Sequence, residues 1–106
     1  MGRTPSSRGA ETWVQELKPT RWISHALKSL TDREIPREQA ERALAEPERI
    51  GEGHGGRKVF MRRYFDERLT QEMLVRVIVQ ETDVERVVTT VYITSKIGKY
   101  MGGANR

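Results

Sequence analysis

Residues 73–95 read MLVRVIVQETDVERVVTTVYITS, and this stretch decides the fold. It contains two runs rich in β-branched residues, Met73 to Glu81 and Arg86 to Ser95, separated by the polar segment Thr82 to Glu85. Valine, isoleucine, threonine and tyrosine favour strands, and a short polar segment between two such runs favours a hairpin. The stretch therefore predicts two neighbouring antiparallel strands joined by a turn.

The sequence before this hairpin extends the sheet. Residues 57–65 alternate between apolar and polar side chains, which predicts another strand, and the polar segment 66–72 connects it to the hairpin. The glycine-rich residues 51–56 predict a loop, because glycine takes positive φ where a chain reverses. Residues 48–52 are a candidate short strand, so the predicted sheet has three to four strands.

Two helices precede these strands. The apolar residues from Ile23 to Leu30 recur at helical spacing and predict a helix over residues 24–33. Pro36, followed by a stripe of alanine and leucine, predicts a second helix that ends before Pro47. Helices followed by a meander of strands predict an α+β domain, in which two N-terminal helices pack on one face of an antiparallel three- to four-stranded sheet.

The alternation assigns each strand residue to one face of the predicted sheet. The face expected to contact the helices is almost entirely apolar and comprises Val59, Met61, Phe65, Met73, Val75, Val77, Val79, Val87, Val91 and Ile93. The opposite face mixes cations, hydroxyls and aromatic rings and comprises Lys58, Phe60, Arg62, Tyr64, Leu74, Arg76, Ile78, Gln80, Val88, Thr90, Tyr92 and Thr94. This mixed face is either an ordinary solvated sheet surface or a concave surface that holds a phosphodiester backbone.

Length and composition indicate a small soluble domain. The 106 residues fit one domain, for which we expect residues 21–101, with a flexible leader over 1–20 and a flexible tail over 102–106. The absence of cysteine, of a signal-peptide core and of an apolar run of roughly 20 residues predicts a cytoplasmic protein that does not contact membranes. The net charge of +4 is compatible with a polyanionic partner such as RNA.

Two segments resemble a known family. They are Ser24-His25-Ala26-Leu27 with Ile35-Pro36, and the run from Val88 to Lys96 that closes the last strand. Over residues 21–101 the chain resembles the domain-of-unknown-function family numbered 4258. That family is similar to the BrnT and RelE toxins, within the barnase–EndoU–colicin–RelE grouping of metal-independent ribonucleases. The resemblance implies a RelE-like fold and an RNA-cleaving activity without a cofactor or a metal.

Cleavage of RNA without a metal uses the adjacent 2′-hydroxyl as the nucleophile, so the protein supplies a base, an acid and cations for the phosphorane-like transition state. His25 is the candidate acid or base, because its intrinsic pKa is near neutrality and the resemblance places a functional histidine in the first helix. The other catalytic candidates are Arg62, Arg76, Thr90 and Tyr92, and the candidates for substrate binding are Lys58, Tyr64 and Lys96.

Each candidate also has a purely structural interpretation. His25 is equally consistent with a helix-start residue that bonds locally, and Thr90 and Tyr92 with ordinary strand formers. Lys96 fits a solvated lysine, and His54, within its glycines, fits a solvated loop residue. The spacing of His, Asp and Glu matches no metal motif, and residues 51–56 lack the Gly-Lys-Ser/Thr of a phosphate-binding loop.

The leading functional hypothesis is a ribonuclease toxin that cleaves cellular RNA and is neutralised by an acidic antitoxin or immunity protein. The alternative is a non-catalytic module of the same fold that binds RNA or a protein through the mixed face. A third hypothesis is the toxic C-terminal part of a larger secreted effector, delivered into the cytoplasm of a target cell.

Overall fold

The computed structural model describes residues 18–101. The first part of the chain forms β1 (Thr20–Trp22), α1 (Ser24–Asp32), α2 (Arg37–Ala45) and β2 (Arg49–Glu52). A single 3-10 turn (His54–Gly56) then leads into β3 (Lys58–Asp66), β4 (Gln71–Glu81), β5 (Arg86–Thr94) and α3 (Ile97–Met101). The α+β class, the two helices and the four strands from β2 to β5 agree with the sequence pattern.

The sheet has five strands in the order β1-β5-β4-β3-β2, so the predicted three- to four-stranded sheet is wrong. The extra strand is β1, which pairs in parallel with β5 through Thr20 opposite Arg86 and Trp22 opposite Val88. Three residues are too few to show alternation, and β1 falls across the boundary of the predicted leader. The sheet is therefore mixed rather than purely antiparallel, and the two helices follow β1 and precede the other strands.

The main core lies between one face of the sheet and the helices α1 and α2. Its buried members are Ala26, Leu30, Ile35, Ala40, Ala43, Leu44, Phe60, Tyr64, Met73, Val75, Val77, Val79, Val88 and Val91. The helices present mostly alanine and leucine to the sheet, so their backbones approach the valine-rich strands closely. We call this face of the sheet the helix face.

Strand β3 has the opposite orientation to the one predicted. Phe60 and Tyr64 point to the helix face, whereas Val59 and Met61 point away from it and pack with Leu74 in a second core. Both parities of this strand contain apolar side chains, so alternation alone did not distinguish them. Both are buried because α3, which the sequence did not predict, covers part of the second face.

Helix α3 packs on this second core through Ile97, Tyr100 and Met101. Leu74, which was expected on a solvated surface, is fully buried. Burying a leucine side chain contributes roughly 1.5–3 kcal/mol, so the contact with α3 is a real part of the fold's stability. The rest of this second face stays open, and we call it the open face.

The predicted leader and tail lie outside the described residues, except for residues 18–20. Lys18 and Pro19 are attached to the turn between β4 and β5, where Lys18 Nζ donates to the Thr82 carbonyl at 2.9 Å and the Arg86 amide donates to the Pro19 carbonyl at 2.9 Å. Within residues 18–101 none of the helices has the length and apolar character needed to cross a bilayer.

Candidate functional site

A cleft of about 740 Å³ occupies the open face between the β2–β3 loop and the strands β4 and β5. Its lining residues are Glu52, Gly53, His54, Arg57, Val59, Arg76, Ile78, Thr89, Thr90 and Tyr92. Val59 and Ile78 also belong to the second core, which places the cleft on the side of the sheet away from α1 and α2. We refer to this concavity as the cleft.

Strands β4 and β5 form the floor of the cleft. Arg76 lies directly opposite Tyr92, and Ile78 lies opposite Thr90. The next pair is Val79 with Val88, so Thr89 is an extra residue without a partner on β4. This bulge lets two consecutive threonines line the cleft, and the Thr89 hydroxyl donates to the Ile78 carbonyl at 3.3 Å.

The β2–β3 loop forms the wall of the cleft. Gly55 and Gly56 have φ values of 67° and 78°, which side chains rarely tolerate. The backbone amide and the guanidinium Nη1 of Arg57 both donate to the His54 carbonyl, each at 3.2 Å. These bonds tie the histidine and the arginine to one another, so the loop brings both side chains to the edge of the cleft.

Arg76 is the half-buried charge in the cleft. Its guanidinium carbon lies 3.9 Å from the ring centroid of Tyr100 and 5.1 Å from that of Tyr92. Its Nε is buried and has no hydrogen-bond partner among residues 18–101. Burial lowers the pKa of Arg76, and the neighbouring Tyr100 opposes that shift. An arginine nevertheless keeps its proton at any physiological pH, so the cleft contains a fixed positive charge beside aromatic rings.

Three of the five predicted catalytic residues, Arg76, Thr90 and Tyr92, meet in the cleft. The other two lie across the sheet. His25 is exposed on α1, which packs on the helix face. Arg62 is opposite Val75 on the helix face, and its Nη1 donates to the Glu46 carbonyl at 2.7 Å. The structure therefore does not bring the five side chains into one site.

The three predicted substrate-binding residues do not lie together in the cleft either. Tyr64 is buried in the main core, where its hydroxyl donates to Asp66 Oδ2 at 3.0 Å. Lys58 lies opposite Val79 at the end of the helix face and pairs with Glu81 at 3.5 Å. Lys96 follows β5, where its backbone amide donates to the Thr94 hydroxyl at 3.1 Å.

The structure adds His54, Arg57 and Thr89 to the cleft. The sequence did not identify His54 as a site residue, because the glycines around it are equally typical of a solvated loop. Thr89 alternates with Thr90 and Tyr92 along β5, so a regular strand would place it on the opposite face. The bulge turns it toward the cleft. A useful signal was available for Arg57. It stands directly between the glycine loop and a strand, so it lies where the strand begins, next to the loop.

The arrangement combines two guanidinium groups, an imidazole, two threonine hydroxyls, a phenol and the carboxylate of Glu52 around one concavity. Planar guanidinium groups match the oxygens of a phosphate, and hydroxyls donate to the same oxygens. A tyrosine on the floor offers a flat surface to a base. Within the described part of the chain, no group of three His, Asp or Glu side chains lies close enough to hold a metal ion. The cleft is thus suited to a phosphorylated ligand with an aromatic base.

Comparison with known protein families identifies the family of this chain. A search of curated proteins and a search of solved structures each found no match to the chain. The family model described as a domain of unknown function, DUF4258, matches residues 22–93, well over half of the 106 residues. The matched range begins at the end of β1 and runs to the penultimate residue of β5, so it includes both helices and the floor of the cleft. The chain therefore belongs to the DUF4258 family.

Proposed function

We propose that the chain is a metal-independent ribonuclease of the RelE- and BrnT-like grouping and that RNA is cleaved in the cleft. The observation that carries the proposal is the pair of arginines, Arg57 and Arg76, in a concavity that also contains an imidazole. Among residues 18–101 neither arginine has a carboxylate within ion-pairing distance, whereas the side chains of Lys28, Arg37 and Arg63 all do. Glu52 also lines the cleft but forms an ion pair with neither arginine, so two guanidinium groups beside one carboxylate leave a net positive charge for phosphate oxygens.

The chemistry follows from these groups. The 2′-hydroxyl of the substrate attacks the adjacent phosphorus as His54 accepts its proton, and the bond from phosphorus to the 5′-oxygen breaks. The leaving 5′-oxygen takes a proton, from His54 or from water, and the products are a 2′,3′-cyclic phosphate and a 5′-hydroxyl. Arg57 and Arg76 stabilise the extra negative charge on the phosphorane-like transition state.

The remaining groups of the cleft bind substrate. Thr90 donates to a phosphate oxygen, whereas the Thr89 hydroxyl already donates to the Ile78 carbonyl, and Tyr92 stacks on a base beside the scissile bond. His25 and Arg62 take no part in this version of the site, because the sheet separates them from Arg76. A site built instead around His25 would have to lie on the side of α1, without Arg76, Thr90 or Tyr92.

The biological role that fits this activity is that of a toxin acting in a bacterial cytoplasm. An antitoxin or immunity protein would cover the cleft, and acidic side chains on that partner would pair with Arg57 and Arg76. The same domain serves equally as a free-standing toxin or as the toxic part of a secreted effector. Induction in a bacterial host, with and without the neighbouring gene product, separates a toxin from a harmless nuclease.

A non-catalytic binding module is the second candidate, and one observation favours it. No side chain among residues 18–101 donates to or accepts from the His54 ring, so nothing in the described chain orients the imidazole as a base. General bases in enzymes are usually held by a third group. The arginines and the tyrosine are sufficient to bind RNA without cleaving it.

The test uses purified chain, single-stranded RNA and a chelator of divalent cations. We expect fragments that end in 2′,3′-cyclic phosphate, formed by the parent and by the matched control Arg42→Gln, whose arginine lies on the solvent side of α2. His54→Ala and Arg76→Gln should leave the RNA intact while remaining folded. Intact RNA with the parent, together with salt-dependent binding, would select the non-catalytic module.

A further inference from the structure

The position of Arg76 depends on a neighbour outside the cleft lining. An arginine side chain has many rotamers, and a charged group on a sheet surface ordinarily extends into water. Here the Nε of Arg76 is instead buried without a hydrogen bond among residues 18–101. Tyr100 is the aromatic group nearest to the guanidinium, at 3.9 Å from its ring centroid, whereas Tyr92 is 5.1 Å away.

Tyr100 is held in place by α3. This helix has five residues, too few to be stable alone, so its position is set by packing. Ile97 and Met101 pack with Tyr100 on the second core, which includes the fully buried Leu74. The ring of Tyr100 is therefore packed against the second core, and the guanidinium of Arg76 lies over the ring.

We infer that Tyr100 is the positioning residue for Arg76, an inference that rests on the proposed role of Arg76 in binding phosphate in the cleft. Stacking on Tyr100 fixes the plane of the guanidinium and replaces the hydration that burial removes. Arg76 shares the floor of the cleft with Tyr92, which lies directly opposite it, and with Thr90, so a guanidinium held there acts beside both side chains. Tyr100 itself does not line the cleft, so it acts on the substrate through Arg76 alone.

A merely structural role for Tyr100 makes different predictions. If Tyr100 only anchors α3, its replacement weakens the fold and lowers RNA binding independently of Arg76. If it positions Arg76, the effects of replacing the two residues are not additive, because removal of the arginine leaves the tyrosine nothing to position. The conservative change Tyr100→Phe keeps the ring and should preserve the effect under the positioning role.

The experiment measures binding of a short single-stranded 2′-O-methyl RNA, which lacks the nucleophile and cannot be cleaved. The variants are Tyr100→Leu, Tyr100→Phe, Arg76→Gln and the double variant Arg76→Gln with Tyr100→Leu. We expect Tyr100→Leu to raise Kd by roughly threefold to thirtyfold, the range typical of a partly buried cation–π contact. Tyr100→Phe keeps the ring and loses only the hydroxyl, so its Kd should lie closer to that of the parent than to that of Tyr100→Leu. The double variant should bind no more weakly than Arg76→Gln. In the cleavage assay the loss should appear in kcat as well as in KM, because Arg76 both binds the phosphate and stabilises the transition state.

A second measurement needs no RNA. The buried Nε–H of Arg76 should give a slowly exchanging, ring-shifted proton signal in NMR spectra of the parent and of Tyr100→Phe, and this signal should be lost in Tyr100→Leu. A signal unchanged in a folded Tyr100→Leu variant, or additive losses in the double variant, overturns the inference. Failure of the parent to cleave any RNA removes the ribonuclease proposal instead, and the NMR comparison still decides the role of Tyr100.

Discussion

Tyr64 of the main core and the buried Asp66 form a hydrogen-bonded pair with a pH-dependent contribution to stability. The Tyr64 hydroxyl and the Leu69 amide each donate to Asp66, at 3.0 and 2.9 Å. The Leu69 amide, with help from Tyr64, holds the pKa of Asp66 below its usual value, and burial raises the pKa of Tyr64. Folding thus favours the carboxylate. Its contribution is complete above the pKa of the unfolded carboxyl and is lost as the pH falls through the lower folded value.

Tyr64→Phe tests this pair. The variant should lose about 0.5–1.5 kcal/mol of unfolding free energy at neutral pH, because Asp66 keeps its charge and loses a donor. The difference from the parent should shrink once the pH is below the folded pKa of Asp66. Urea unfolding at neutral and acidic pH provides the measurement, with Tyr92→Phe as the matched control. Equal losses at both pH values would show that the hydroxyl acts by packing alone.

Replacement of each histidine, His25 or His54, tests on which side of the sheet RNA is cleaved. His54→Ala should lower the initial rate of RNA cleavage by roughly a hundredfold or more, the usual loss when a general base is removed. His25→Ala should keep the parent's rate, because α1 lies behind the sheet. A fluorescent single-stranded RNA reports the rate, and circular dichroism shows that both variants fold. The reverse outcome would move the chemistry to the α1 side.

At the scale of elements, the β2–β3 loop is the part of the cleft most sensitive to a small change. Gly55 has a φ of 67°, and an added Cβ would lie 3.3 Å from the Arg57 guanidinium. Gly55→Ala should therefore cost about 1–2 kcal/mol and displace Arg57, so RNA binding should weaken together with stability.

Gly98→Ala is the matched control for the loop. Gly98 lies in α3 with open space around the position of a Cβ, so alanine should be neutral or stabilise the fold by up to about 1 kcal/mol. Thermal unfolding and RNA binding of both variants are compared with those of the parent. A Gly55→Ala variant that binds RNA normally would show that Arg57 does not contribute to the cleft's affinity.

The elements differ in how well the sequence predicted them. Strands β4 and β5 were predictable because β-branched residues alternate within each and a polar turn separates them. The bulge at Thr89 nevertheless reverses the faces predicted for the start of β5, so that Val88 and not Val87 lies in the main core. Strand β3 was predicted with its faces exchanged, since Val59 and Phe60 are equally apolar and only α3 explains why both are buried. Strand β1 is too short for any periodic signal. Its pairing with β5 is a tertiary contact that local sequence does not encode.

The candidate site could be predicted only in part, for a related reason. Arg76, Thr90 and Tyr92 share one parity on neighbouring strands, so alternation alone brought them together. His54 and Arg57 reach the cleft through a loop conformation that depends on two glycines with positive φ. No periodic pattern encodes where such a loop points, and the mixed face therefore looked like an ordinary surface.

At the scale of the whole molecule, the excess positive charge is unevenly distributed. On the outer side of the helices, Lys28, Arg37 and Arg42 each lie within 4 Å of an acidic residue one turn away. Arg57 and Arg76 have no such partner among residues 18–101. Glu52 also lines the cleft, so the cleft contains two guanidinium groups beside one carboxylate, whereas the charges of these three helix residues are locally neutralised.

This asymmetry predicts how salt changes the affinity for RNA. Each phosphate neutralised on a single strand contributes about −0.7 to the slope of log K against log salt concentration, so contacts to Arg57 and Arg76 predict a slope near −1.4. Arg76→Gln should reduce the slope by about 0.7, whereas Arg42→Gln, which removes the same charge from α2, should leave it unchanged. Titration of a 2′-O-methyl RNA at several salt concentrations gives the three slopes. Equal reductions in the two variants would mean that the salt dependence of RNA binding reflects the net charge of the protein and not the charges in the cleft. A reduction confined to Arg76→Gln would identify the open face as the surface that meets the phosphate backbone, whether or not the RNA is then cleaved.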